Sequence, residues 1–218
     1  MRKMITVKIN GEERQYPQGA TYEDVANDYQ QEYENLIALA ARDGKIRELF
    51  KKLTRDCEVT FFTLKDDVGN KTYVRSATML FLKAVFDVYG REAAQSCRVE
   101  FAIGNGSYIS PKEKINATEE NAAKIRNRMR ELVEAKTPFL KRSYSLDNAM
   151  ELFRKEGMKD KEKLFRYRRG SFVNIYEMDG YYDYYYGYML PNAGYVKWFD
   201  VIAYEDGFML LLPDKKDP

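Results

Sequence analysis

The sequence of 218 residues contains no histidine. That removes the side chain most often used as a general base near neutral pH, and the commonest protein ligand of transition metals. Cysteine is nearly absent too. Cys57 and Cys97 sit in separate strand-like segments without metal-ligand spacing, and both read as small buried hydrophobes rather than reactive thiols. A zinc site would need carboxylates to complete it, while a carboxylate-bound magnesium stays open. No apolar run approaches the length of a membrane span. No Walker A loop occurs, because Gly44-Lys45 is followed by Ile46 and no suitably spaced glycine precedes it. Neither sign of charge dominates: 36 Lys and Arg face 34 Asp and Glu, so bulk charge demands no polyanionic partner. Met1-Arg-Lys-Met4 runs straight into a strand-like alternation without a signal-peptide pattern. The expectation is a soluble cytoplasmic protein.

What is present is aromatic mass, with 18 Tyr and 12 Phe, and one organising helix. Ala77, Leu80, Phe81, Ala84, Val85 and Val88 recur at helical spacing within Tyr73–Tyr89, and Gly90 is the natural stop. Ahead of it, residues 4–17 read as a hairpin turning at Asn10-Gly11. A helix opens at Thr21 with Asp24 as a capping box. The apolar run Leu36–Ala41 leads to a turn at Asp43-Gly44, and Cys57–Thr63 is a strand. Hairpin, helix and returning strands are a β-grasp order. The polar stretch Asp66-Asp67-Val-Gly69-Asn70 reads as a break and a domain boundary.

Beyond Gly90, residues 97–109 form a hairpin pivoting on Gly104-Asn105-Gly106. Its glycines also suit an anion cradle, but the turn is the simpler account. Thr118 to Lys136 is a helix with Ala122, Ile125, Met129, Leu132 and Val133 on one face and a solvated, charged opposite face. Ser145 opens a helix over Leu146–Glu156, closed by Gly157. Residues 159–169 are a basic run with interleaved aromatics. Either Arg166, Arg168 and Arg169 contact RNA backbone or nucleotide phosphate, or the run is an amphipathic helix end. Strands are expected over residues 171–178, 181–189 and 194–200, with a hairpin at Asp206-Gly207.

Two resemblances follow from these residues. Ile9-Asn-Gly11, Tyr16-Pro-Gln-Gly19-Ala-Thr21, Asp24-Val-Ala26 and Glu58-Val-Thr-Phe61 resemble a TGS domain, implying a small β-grasp (TGS-like) domain over residues 1–65. Arg75-Ser-Ala-Thr-Met79 and the helix around it resemble the HxxxH helix of threonyl- and alanyl-tRNA synthetase editing domains. Asp183-Tyr-Tyr-Tyr-Gly187 through Pro191 and Gly194 is similar in frame to the CxxxH segment of that family. The fold class expected is α+β, with an editing-like α+β domain over residues 70–213 and a linker starting at 214–218. The resemblance puts Arg75 and Met79 at the histidine positions, and Tyr185 and Met189 at the cysteine and histidine positions, with Asp183 in register.

The chemistry then fails on elementary grounds. Arginine stays protonated, methionine is not basic, and tyrosine ionises near ~10. No catalytic residue and no metal ligand is expected in this set. Two readings of the replacements stay open. Either Met79, Tyr185 and Met189 fill the former cleft, or Arg75 and the six tyrosines within residues 181–188 line a ligand pocket. A TGS-like domain before a histidine-free editing-like domain resembles the N-terminal half of bacterial uridine-kinase-like proteins. That resemblance implies an accessory or regulatory region whose partner is a kinase domain beyond Pro218. ATP and magnesium would belong to that domain, with no cofactor in these residues and nucleotide or RNA as ligand. The alternative is a tRNA- or RNA-binding module related to threonyl-tRNA synthetase without hydrolytic activity. A relocated enzyme site on Asp179, Asp183 and Asp200 is a third reading.

Overall fold

The computed structural model describes residues 3–166 and 170–218 and is a mixed α+β structure. The chain divides into two compact units. One comprises Met1–Ser76, Tyr188–Pro191 and Pro213–Pro218; the other comprises Ala77–Gly187 and Asn192–Leu212.

In the first unit, strands β1 (Met4–Ile9) and β2 (Glu12–Pro17) form the expected hairpin. Asn10 at φ 51° and Gly11 at φ 89° supply the two left-handed residues that such a tight turn needs. Helix α1 (Tyr22–Tyr29) opens on a reciprocal cap: the Asp24 N–H donates to Thr21 Oγ1 at 3.1 Å and the Thr21 N–H to Asp24 Oδ2 at 2.7 Å. Strands β3 (Ile37–Arg42), β4 (Lys45–Glu48) and β5 (Cys57–Thr63) complete a sheet of order β2-β1-β5-β3-β4, in which only β1 and β5 run parallel. Ile37 to Ala41 are all buried, which is why β3 reads as a continuous apolar run rather than an alternation.

Helix α2 spans Asp67–Tyr89 and begins well before Tyr73. The stretch read as a polar break is its first turn. Asp66 Oδ2 accepts from the Thr63 N–H at 2.7 Å and from Thr63 Oγ1 at 3.1 Å, and the Asp66 carbonyl accepts the Asn70 N–H at 2.8 Å. Gly69 is therefore not a breaker. A Cβ there would collide with the Thr63 carbonyl, so glycine is what lets the helix start against the end of β5. Gly90, at φ 84°, ends α2 as expected.

In the second unit α2 continues from Ala77, followed by α3 (Arg91–Ser96), β6 (Arg98–Ile103), β7 (Gly106–Ser110), α4 (Glu119–Glu134), β8 (Leu140–Ser145), α5 (Leu146–Lys155) and α6 (Lys159–Arg166). Then come β9 (Phe172–Met178), β10 (Tyr181–Asp183), β11 (Asp200–Tyr204) and β12 (Gly207–Leu211). They form two antiparallel sheets, β10-β9-β8 and β11-β12-β7-β6. On α4 the expected face is buried through Ala122, Ile125, Met129 and Leu132, while Lys124, Arg126 and Arg128 form ion pairs with Glu120, Asp200 and Asp87.

Two expected strands differ. The one projected over 181–189 stops at Asp183, whose own Oδ1 takes the Tyr184 N–H at 2.5 Å and so removes a donor from the ladder. The one projected over 194–200 is a 3-10 turn, Ala193–Tyr195, capped by Asn192 Oδ1 on the Gly194 N–H at 3.0 Å; strand structure resumes only at Asp200. Residues 159–166 of the basic run are helical as α6, and Phe165 there is fully buried, stacked on Phe153 at 5.2 Å and edge-on to Tyr184 at 4.9 Å. The Arg166 side chain, Arg168 and Arg169 lie outside the described residues. Among the described residues no helix is long and apolar enough to cross a membrane.

Candidate functional site

Arg75 and Met79 occupy successive turns of α2, four residues apart and so on one face. In the first unit, Arg75 Nη1 donates to the Tyr188 carbonyl at 2.6 Å. One residue on, the buried Ser76 hydroxyl donates to the Thr72 carbonyl at 2.8 Å and accepts the Leu190 N–H at 3.0 Å, with Met189 Sδ at 3.9 Å. The Met189 N–H reaches Glu48 Oε1 at 3.3 Å, and its side chain is fully buried. Arg75 and Met189 thus meet around Ser76, a residue that sequence reasoning passed over. Its signal was a pair of small hydroxyl residues, Thr72 and Ser76, one turn apart on the inward side of the helix. Arg75 spends a donor on a backbone carbonyl, and Met189 is packing.

In the second unit Met79 is fully buried. Tyr185 packs its ring against Tyr176 at 6.5 Å, and its hydroxyl is enclosed without a hydrogen-bond partner. Burial drives that hydroxyl well above the usual phenol range, so it does not ionise near neutrality. The other tyrosines of 181–188 divide their tasks. Tyr182 and Tyr184 pack on the core under α5 and α6, Tyr181 is buried, and Tyr186 stands 87 % exposed.

Asp183 belongs to a different arrangement. The second unit holds a pocket of about 610 Å³ between the end of α2, α3, β6, the α5–α6 turn and β10. Lys161 of α6 forms an ion pair with Asp183, whose side chain is only 5 % exposed. Asp183 also accepts from the Tyr181 hydroxyl at 3.3 Å and the Tyr184 N–H at 2.5 Å. Arg98 and Asp160 pair with each other on the wall, as do Lys114 and Glu92 at 3.6 Å.

Burial, reinforced by the Arg98 guanidinium, pushes the Lys161 ammonium down to about 8, with Asp160 opposing. Contact with Asp183 favours the charged pair, and at pH 7 the lysine is an ammonium. Cys97, also on the wall, is no nucleophile. Burial pushes its thiol up to about 12, and its Sγ donates to the Ala93 carbonyl at 3.4 Å. Among the described residues no group of three or more Asp, Glu, Cys or His side chains converges as a metal site would require. The pocket offers fixed charges of both signs. Lys161 is the residue missed from sequence, hidden in the basic run. The available signal was its place four residues before Phe165, on the buried face of α6.

No family model matches the chain. It is similar to the threonine–tRNA ligase of Thermotoga maritima, at 29 % identity over 205 residues, covering 91 % of this chain and 30 % of the relative. The threonine–tRNA ligase of Porphyromonas gingivalis is 25 % identical over 194 residues, covering 86 % and 29 %. That of Maricaulis maris is 27 % identical over 193 residues, covering 88 % and 30 %. The chain spans less than a third of the length of these curated relatives, and nearly all of the chain takes part in the similarity.

Proposed function

We propose that this chain is an RNA-associated module, related to the part of threonyl-tRNA synthetases that it matches, which binds tRNA and does not hydrolyse an aminoacyl ester. In this reading the first unit is TGS-like and the second is editing-like. The observation that carries it is the pocket around Lys161 and Asp183. Charged groups able to hold a polar chain end are present there, and neither an imidazole nor an ionisable thiol is available to activate water. A general base must sit within reach of the water proton and be unprotonated at working pH. At pH 7 Lys161 is an ammonium bound to a carboxylate.

A second reading is an accessory region of a uridine-kinase-like phosphotransferase. It keeps the same inert site but predicts nucleotide rather than tRNA as the ligand. The relatives described above, all threonine–tRNA ligases, favour tRNA. Filter binding across a salt series, with tRNA and mononucleotides in parallel, separates the two. The expected result is tRNA binding that weakens steadily with salt, with a seryl-tRNA ester decaying at the rate of the protein-free control. Ester hydrolysis above that control, lost in Lys161→Met, would overturn the proposal.

A further inference from the structure

The first unit carries a second pocket, of about 390 Å³, that uses none of the residues discussed so far. It is lined by Tyr22, Arg42, Arg47, Lys51, Lys52 and Thr54. Four cations line it and no carboxylate does. The sequence places Arg42 at the end of β3, Arg47 on β4 and the two lysines just after it, so the fold draws together charges that are scattered along the chain.

Among the described residues none of these four cations forms an ion pair. The acids nearby are engaged elsewhere. Asp43 is held by Arg55 at 3.0 Å and by the Glu58 N–H at 3.1 Å, and Asp56 accepts the Thr6 N–H at 2.8 Å. Like charges gathered together repel, and Asp43, whose field reaches Arg42, is itself bound to Arg55.

A second, independent observation points to a ligand. Tyr22 is 1 % exposed; the Arg42 guanidinium beside it favours its ionised form, but its hydroxyl proton has no acceptor. Arg42 Nε is buried and equally unpartnered. Arg42 spends Nη1 on Thr54 Oγ1 at 3.1 Å, which leaves the fork of Nε and Nη2 unused. That fork is the edge of a guanidinium that binds an oxyanion through two parallel hydrogen bonds. Buried donors without acceptors are rare and cost free energy. Here two lie side by side in a cationic pocket. Burial also raises the Tyr22 hydroxyl above its ordinary range, so it stays protonated and remains a donor.

We infer that this pocket binds a phosphate group, with the Arg42 fork and the Tyr22 hydroxyl taking its oxygens and Arg47, Lys51 and Lys52 supplying charge. A phosphate monoester or diphosphate of a small molecule and a phosphodiester of an RNA strand share this chemistry. The inference is separate from the function proposed above and stands or falls by different side chains.

The test is calorimetric titration of the intact chain at low salt with inorganic pyrophosphate, a nucleoside diphosphate and a short single-stranded RNA, with a matched thermal melt for each variant. All three ligands carry the group, so binding of the first two at higher affinity assigns a small-molecule source, and binding of RNA alone assigns a strand. Arg42→Gln is expected to weaken binding by about tenfold or more, since hydrogen bonds to charged groups are the strong ones. Tyr22→Phe is expected to weaken it by roughly three- to tenfold while leaving the melting temperature of the free protein equal or higher, because it deletes a donor that has no partner. The exposed pair Lys51→Ala/Lys52→Ala, which does not threaten folding, is expected to flatten the salt dependence. The inference is overturned if none of the three ligands binds at millimolar concentration. It is also overturned if Arg42→Gln lowers the melting temperature while affinity is unchanged, which would make Arg42 a strut for Thr54.

Discussion

Cutting the Lys161–Asp183 pair from its two ends has unequal consequences, and the inequality can be worked from the contacts. The Asp183 side chain is 5 % exposed and that of Lys161 is 29 % exposed. In Lys161→Met the carboxylate keeps the Tyr181 hydroxyl and the Tyr184 N–H, so the loss is about 1–3 kcal/mol. In Asp183→Leu the ammonium loses its counter-charge, and both of those donors lose their acceptor inside a buried site. Breaking a buried pair in this way costs about 3–5 kcal/mol. For a chain of this size each kcal/mol moves the melting temperature by about 2–4 °C, so Asp183→Leu falls by roughly 6–20 °C and Lys161→Met by roughly 2–12 °C. The assay is thermal and urea unfolding of both single variants and the double variant. The double variant is expected to lose at least ~1 kcal/mol less than the sum of the singles, as groups in direct contact do. Additivity within error, or Lys161→Met as the costlier change, would refute the placement of the pair.

Other expectations are briefer. Lys161 binds its proton less tightly in the folded chain, at about 8, than in the unfolded chain, near ~10.4. The unfolded state therefore carries more protons between those values, and wild type gains stability relative to Lys161→Met as pH rises from about 8 to ~10.4; pH-resolved urea unfolding reads it. Gly69→Ala drives a Cβ into the Thr63 carbonyl and should cost roughly 1–3 kcal/mol, with the start of α2 losing amide-exchange protection before its middle. Cys97, with its thiol pushed up to about 12, should resist iodoacetamide at pH 8 in the native protein and react at full rate once unfolded, which mass spectrometry of the labelled peptides would show. Introducing histidines with Met79→His and Met189→His should destabilise the protein without creating a deacylase, because both methionines are fully buried and a buried imidazole needs partners that apolar packing does not offer.

Periodicity and turn chemistry made much of the architecture legible. Asn10-Gly11, the Thr21–Asp24 box and the face of α4 are local signals with local causes, and the structure follows them; on α2 the expected face is buried from Ala77 to Val85, but Val88, near the helix end, is exposed. Local rules misled where a tertiary contact decided the outcome. Gly69 reads as a breaker, yet it is glycine because a carbonyl passes close by. The tyrosine-rich stretch reads as one long strand because aromatics favour strands, but the side chain of Asp183 competes for the backbone and ends it. The candidate site shows the same limit. Positions 75, 79, 185 and 189 are singled out by a resemblance read along the chain, whereas the Lys161–Asp183 pair joins residues from α6 and β10 whose proximity no local pattern announces.

Residues 75, 79 and 189 and the pocket around Lys161 obey different energetics. Met79 and Met189 bury apolar mass, and Arg75 donates to a backbone carbonyl; each is a contribution that folding alone accounts for. A buried ion pair is not of that kind. Replacing one by well-packed apolar side chains is commonly neutral or stabilising, so stability gives no reason to keep Lys161 and Asp183 in a pocket of about 610 Å³. The same holds for the Tyr22 hydroxyl, which phenylalanine would replace without removing a donor that has an acceptor, and for Arg42 Nε, which stays unpartnered while Nη1 of the same side chain holds Thr54. Residues that cost the fold something and sit beside open volume are the ones whose presence a ligand explains. On that criterion the molecule is to be probed at Lys161 and Asp183 and at Arg42 and Tyr22, rather than at positions 75, 79, 185 and 189.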